Sequence, residues 1–137
     1  MGRPGRLVVD TDVLIDFFAG AAPAAEAVAH LIRNYTLSLT TLTLFELASG
    51  ARARAQLDDI ELLVQTVDPL PLNVPAALRA GALYRDLKRQ GRLLAPTDLL
   101  IAGCCLAHGL PLFSRNVQHF ARVEGLTLLD AQDVLAR

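Results

Sequence analysis

The apolar pattern of the chain begins with Leu7-Val8-Val9, a run without polar alternation that stops at Asp10. A short apolar, β-branched run of this kind reads as a buried strand. Asp10, Thr11 and Asp12 are each suited to cap a helix over about Val13 to Phe18. Gly20 to Pro23 break the pattern, and Ala24 to Arg33 resume it as a second helix that Asn34 can end. Tyr35 to Thr40 predicts a second strand. Thr43 opens a helix that runs through Leu47 and Ala48 and beyond Gly50. Ala55 to Thr66 is helical in turn, with Leu57, Ile60, Leu63, Val64 and Val67 at helical spacing. Pro69 and Pro71 then bracket an extended piece suited to a sheet edge.

In the second half, Pro75 sits where a first-turn proline belongs, and Ala76 to Gln90 form a helix closed by Gly91. Thr97 caps a helix from Asp98 to His108, ended by Gly109. Leu99 to Leu106 has almost no polar face, so this helix is expected to be central and buried. Leu110 to Phe113 predicts a strand, Ser114-Arg115-Asn116 leads into a short helix through Phe120, and Thr127 to Leu129 predicts a last strand. Asp130 caps a terminal helix. Strands alternating with helices imply an α/β domain: a mainly parallel sheet of about four to five strands flanked by helices. Residues 1–137 read as one domain, with 1–6 as a disordered tail.

Composition narrows the function only slightly. An apolar fraction of 53% argues against disorder, and a net charge of −1 gives no general attraction to nucleic acid or to an acidic membrane. Lys88 is the only lysine, so the basic groups are almost all arginine, which suits bidentate phosphate contacts. Cys104 and Cys105 are adjacent in an apolar run, with no spacing for zinc; they read as buried reduced thiols, consistent with a cytosolic protein. The basic start imitates a signal peptide, but Asp10, Asp12 and Asp16 interrupt the apolar segment behind it. No apolar run reaches membrane-spanning length.

The chemistry lies in where the polar residues fall. Asp10 ends the first strand, Glu46 lies in the first turn of the helix after the second, Asp98 opens the buried helix, and Asn116 follows the Leu110 strand. Parallel neighbours would gather such positions at the C-terminal edge of the sheet, where open α/β folds bind ligands. Each residue also has a local explanation. Glu46 stands three after Thr43, the spacing of a capping box; Asp98 suits a helix dipole; Asp10 suits a cap. Jointly these explanations are weaker, because Asp10 and Asp98 abut apolar segments and semi-buried carboxylates need partners. Arg115 is the nearest evident base, and a divalent cation would satisfy several carboxylates at once.

Val9-Asp10-Thr11-Asp12-Val13-Leu14-Ile15-Asp16 resembles the opening motif of PIN-domain ribonucleases, in particular VapC-type toxins of bacterial toxin–antitoxin pairs. Leu44-Phe45-Glu46-Leu47-Ala48-Ser49-Gly50, Pro96-Thr97-Asp98-Leu99-Leu100-Ile101-Ala102 and Ser114-Arg115-Asn116-Val117-Gln118-His119-Phe120 resemble the three that follow, in order. The resemblance implies a metal-dependent endoribonuclease with Asp10, Glu46, Asp98 and Asn116 as catalytic positions. Mg²⁺, or alternatively Mn²⁺, would be held by Asp10 and Asp98. Asn116 replaces an aspartate found in many members, which favours one tight ion over two. Glu46 would orient the attacking water; Thr11 and Ser114 would bond the phosphate or a ligand carboxylate; Arg89, Arg92 and Arg115 would follow the RNA backbone. Implied partners are an RNA substrate, a second copy of the chain, and a cognate antitoxin protein of the kind that also binds DNA. Ala24 to Ile32 and Leu57 to Val67 are either apolar surface for such contacts or simply core.

Asp12 and Asp16, four apart, share a helix face; Asp16 reads as solvent-facing and His119 as structural. Two other functions fit parts of the pattern. Asp10-Thr11-Asp12-Val13-Leu14 nearly matches the opening of haloacid dehalogenase-like phosphatases, with Asp10 as nucleophile, although Leu14 departs from it and Lys88 is a poor candidate for the required lysine. A degenerate PIN-like module, binding RNA or protein without cutting, is suggested by Asn116.

Overall fold

The computed structural model describes residues 5–137. Four parallel strands form one sheet in the order β2-β1-β3-β4: β1 (Leu7–Val9), β2 (Leu37–Ser38), β3 (Leu112–Phe113) and β4 (Leu128–Leu129). Helices α1 (Thr11–Phe18), α2 (Ala24–Arg33), α3 (Thr41–Ser49) and α4 (Arg54–Thr66) lie between β1 and β3 along with α5 (Val74–Arg89) and α6 (Pro96–His108). Helix α7 (Val117–Phe120) precedes β4 and α8 (Ala131–Leu135) follows it.

Side chains alternate across a strand, so the sheet serves two cores. Leu7 and Val9 pack with Val28 and Leu31 of α2 and with Leu63 of α4. Val8 and Leu112 point the other way, to Ile101, Ala102 and Cys105 of α6 and Leu87 of α5. Helix α6 is central and buried, as its missing polar face requires. The apolar face of α2 is core as well: Ala24, Ala27, Val28 and Leu31 are buried, which decides Ala24 to Ile32 for core over docking surface. Leu62 and Val64 of α4 do remain exposed. Of the expected tail, residues 1–4 lie outside the described residues, while the Gly5 carbonyl accepts from the Arg137 guanidinium at 3.1 Å.

The element ends depart from expectation for physical reasons. Tyr35 has a φ of 55° and is 84% exposed, a left-handed turn residue, so β2 begins two residues later. Thr40, still extended, is the cap of α3, its Oγ1 accepting the Thr43 N–H at 3.2 Å. Thr43 is therefore inside the helix, no capping box engages Glu46, and the helix ends at Gly50 instead of passing it. Asp10 is the cap of α1, which starts at Thr11. Pro96, with its fixed φ, starts α6 directly after Ala95, which displaces Thr97 from the capping role. The Pro69–Pro71 piece contributes only a parallel bridge, Leu70 to Thr40.

Helices α5 and α6 pack closely because Gly103 has no side chain. A Cβ there would stand 2.7 Å from the Ala76 carbonyl oxygen and 2.8 Å from Ala80 Cβ. Gly103→Ala is expected to force the pair apart and cost about 1–3 kcal/mol, read as a lower urea midpoint; an unchanged midpoint would contradict so close an approach.

Candidate active site

The sheet order leaves β1 with its sequence neighbour β2 on one side and β3, reached by a long crossover, on the other. The chain leaves β1 and β3 in opposite directions, so a crevice opens beyond their C-terminal ends. Asp10 stands at the end of β1 and Ser114 at the end of β3. They meet there: the Asp10 N–H donates to the Phe113 carbonyl at 2.8 Å, and Ser114 Oγ donates to Asp10 Oδ2 at 2.8 Å. Asp10 Oδ1 accepts the Thr11 N–H at 2.9 Å. Ser114 Oγ in turn accepts the Asn116 N–H at 2.9 Å. Asn116 thus serves the site through its backbone, with its residue otherwise exposed.

Glu46 joins from α3. Thr11 Oγ1 lies 2.7 Å from Glu46 Oε1 and 3.0 Å from Thr43 Oγ1. Having one proton, the Thr11 hydroxyl donates to the carboxylate and accepts from Thr43. Thr43, buried at the start of α3, is a member of this chain of bonds that its sequence position assigns only to helix capping.

Asp10 is 6% exposed. Burial, then the charge of Asp12, pushes its carboxyl from the usual 3.8 up to about 7; the bonds from Ser114 and Thr11 oppose this, and Asp98 adds to it. Burial likewise raises Asp12, against the pull of Arg115. Arg115 Nε is 3.7 Å from Asp12 Oδ2 and its Nη1 3.2 Å from Asp16 Oδ2. Asp16 is therefore an ion-pair partner, not a free surface charge. Asp12 Oδ1 is buried with no hydrogen-bond partner.

Asp98 lies in the first turn of α6, and its Oδ2 is 3.2 Å from His119 Nε2. Sequence could not show this pairing, since 21 residues separate the two. Arg89 and Arg92 flank the turn before α6. Arg89 pairs with Asp86 of its own helix, and Arg92 is exposed. Neither touches the carboxylates.

A cation fits this set by its donors. Asp10 and Asp98 present hard oxygens, Asp98 adding to the rise of the Asp10 carboxyl, and the orphaned Asp12 Oδ1 is a further acceptor. Among the described residues no three His, Cys, Asp or Glu side chains form a ready-made cage. Mg²⁺ does not need one, because it keeps several waters and takes one or two carboxylates.

The PIN domain family model matches residues 7–126. A tRNA(fMet)-specific endonuclease VapC of Shigella flexneri is 31% identical over 130 residues, covering 91% of this chain and 97% of the relative. A ribonuclease VapC1 of Methanocaldococcus jannaschii is 25% identical, covering 91% and 88%. Among solved structures, VapBC-1 of nontypeable Haemophilus influenzae superposes with a TM-score of 0.78 at 27% identity, covering 92% of this chain and 98% of that one. The DNA-bound VapBC of Salmonella typhimurium gives 0.81 at 23% identity, with 93% and 99% covered.

Proposed function

This chain belongs to the PIN-domain family, with VapC ribonucleases among its relatives, and from that premise we propose that it is a metal-dependent endoribonuclease, the toxin of a toxin–antitoxin pair. The observation that carries the proposal is Asp10: a buried carboxyl at the strand-end crevice, raised to about 7, with Asp98 acting on its charge and Glu46 tied to it through Thr11. Such a group is costly in isolation and useful beside a cation.

Asp10 and Asp98 would hold the ion, Mg²⁺ or alternatively Mn²⁺. When bound, it supplies Lewis acidity to the phosphoryl group and to the attacking water. Ser114 and the Thr11 N–H keep the Asp10 carboxylate in one orientation. Glu46, one oxygen held by Thr11, orients the water with the other. Arg89 and Arg92, on the approach to Asp98, track the RNA backbone. Arg115 joins them on the substrate once RNA phosphate competes with Asp12 and Asp16 for its guanidinium.

The antitoxin occupies a groove of about 330 Å³ between α1, α3 and α4, lined by Ile15, Phe18, Leu47 and Ile60 and reaching Glu46. An inhibitor seated there lies against Glu46, one of the acidic residues it must silence. Two of the solved relatives are VapBC assemblies, one of them bound to DNA. The second copy in a homodimer has an apolar face available on α5, where Val74 and Leu78 are 71% and 70% exposed. Among the described residues no helix is long and apolar enough to cross a membrane. A phosphatase would need a lysine at Asp10, and Lys88 instead sits over the Tyr84 ring, 5.6 Å from its centroid.

The test is cleavage of a mixed RNA pool by the purified chain with Mg²⁺, Mn²⁺ or EDTA, with initiator tRNA included because of the Shigella relative's name. Cutting with either metal and none in EDTA is expected. Full cutting in EDTA would remove the cation. Binding without cutting under every condition would replace the nuclease with a binding module.

A further inference from the structure

Asp98, in the first turn of α6, makes its side-chain hydrogen bond outside its own helix. Helix α6 starts on Pro96 with no side-chain cap at Ala95, and the Asp98 side chain turns to His119 instead. The two side chains are about equally enclosed, 26% and 27% exposed, so their contact is only partly open to solvent. The imidazole is itself held in place. His119 belongs to α7, its neighbour Phe120 is buried in the core, and the two rings meet edge-on, 81° apart with centroids at 5.8 Å. A carboxylate only accepts, so the proton of this bond is on Nε2. Oδ2 of Asp98 is thereby occupied and Oδ1 is left for another partner.

We propose that His119 is a positioning residue: by fixing Asp98 through Oδ2 it presents Oδ1 to the cation and so sets the affinity of the site. The inference rests on the cation-dependent reading above. Partners of this kind restrict the rotamer of a metal-binding side chain, and their loss typically weakens metal binding by about 10–100-fold. The geometry also gives His119 a role that its sequence context, a lone histidine before an aromatic, does not.

The experiment measures Mn²⁺ binding to the full-length protein by electron paramagnetic resonance of the free ion, alongside thermal melts. Wild type is compared with His119→Gln, which keeps an N–H donor, and His119→Leu, which fills similar space without one. Expected are binding close to wild type for His119→Gln and a loss of about 10-fold or more for His119→Leu, with melts that coincide. Equal affinity in all three proteins would overturn the role of His119 and leave the cation site standing. So would equal weakening in both variants, which would mark His119 as a matter of shape alone. Absence of Mn²⁺ binding by wild type would overturn the cation reading and this inference together.

Discussion

Asp10→Asn is expected to abolish RNA cleavage and at the same time to stabilise the metal-free protein at neutral pH. The Asp10 carboxyl has its proton affinity raised from 3.8 to about 7 by burial and by Asp12. Between those values the folded chain binds a proton that the unfolded chain has released, so stability falls as pH rises through the window. The contribution is fully present below about pH 4 and lost above about pH 7. At about 1.4 kcal/mol per pH unit the loss is on the order of a few kcal/mol. Asparagine carries no charge and can still bond the Thr11 N–H and Ser114, so it avoids most of that loss.

The measurement is a set of thermal melts in EDTA from pH 4 to pH 8. The variant should match wild type at the acid end and melt several degrees higher at the alkaline end. Adding Mn²⁺ should raise the wild type selectively, because only its carboxylate gains from the ion. A wild-type melt that does not fall with pH, or a variant less stable at pH 8, would show that Asp10 is satisfied by some other partner.

The second large effect is expected at Asp98. Asp98→Asn keeps an oxygen for the His119 N–H and nearly the same volume, so the fold should be preserved. Loss of a first-turn charge costs only about 0.3–1 kcal/mol. On the proposed function, catalysis should depend on the same carboxylate far more steeply. Lewis-acid assistance is worth several kcal/mol, and each 1.4 kcal/mol is about tenfold in rate. Cleavage with Mg²⁺ should therefore fall by roughly 10³-fold, while circular dichroism and melting change little. Undiminished cutting by the variant would place the chemistry elsewhere or in a contaminant. The contrast with His119→Leu separates a residue that holds the ion from one that holds the ligand: the first loses turnover at any metal concentration, the second recovers as Mn²⁺ is raised.

Much of the site was legible locally. Asp10 follows an apolar strand, and strand ends followed at once by helix starts are where a parallel sheet gathers its polar residues. Asp98 before an apolar helix and Asn116 after an apolar strand follow from the same logic, whereas Ser114 enters only through the family resemblance. The roles of Thr43 and His119 have no signal in the spacing of the chain, and Arg115, expected as the nearest base to the carboxylates, pairs with Asp12 and Asp16 in particular. For Glu46 the local alternative, a capping box with Thr43, falls away because Thr40 is the cap and the Glu46 carboxylate bonds Thr11 instead.

The sequence by itself determined the alternation of strands and helices and the burial of α6. These follow from hydrophobic periodicity and from the few conformations open to glycine and proline, which act over a handful of residues. Only the tertiary structure decided which oxygen meets which donor. Ser114 reaches Asp10 across 104 residues and Glu46 reaches Thr11 across 35, because a parallel sheet brings distant strand ends to one edge. At that edge burial raises the proton affinity of Asp10, and burial depends on every element packed around it.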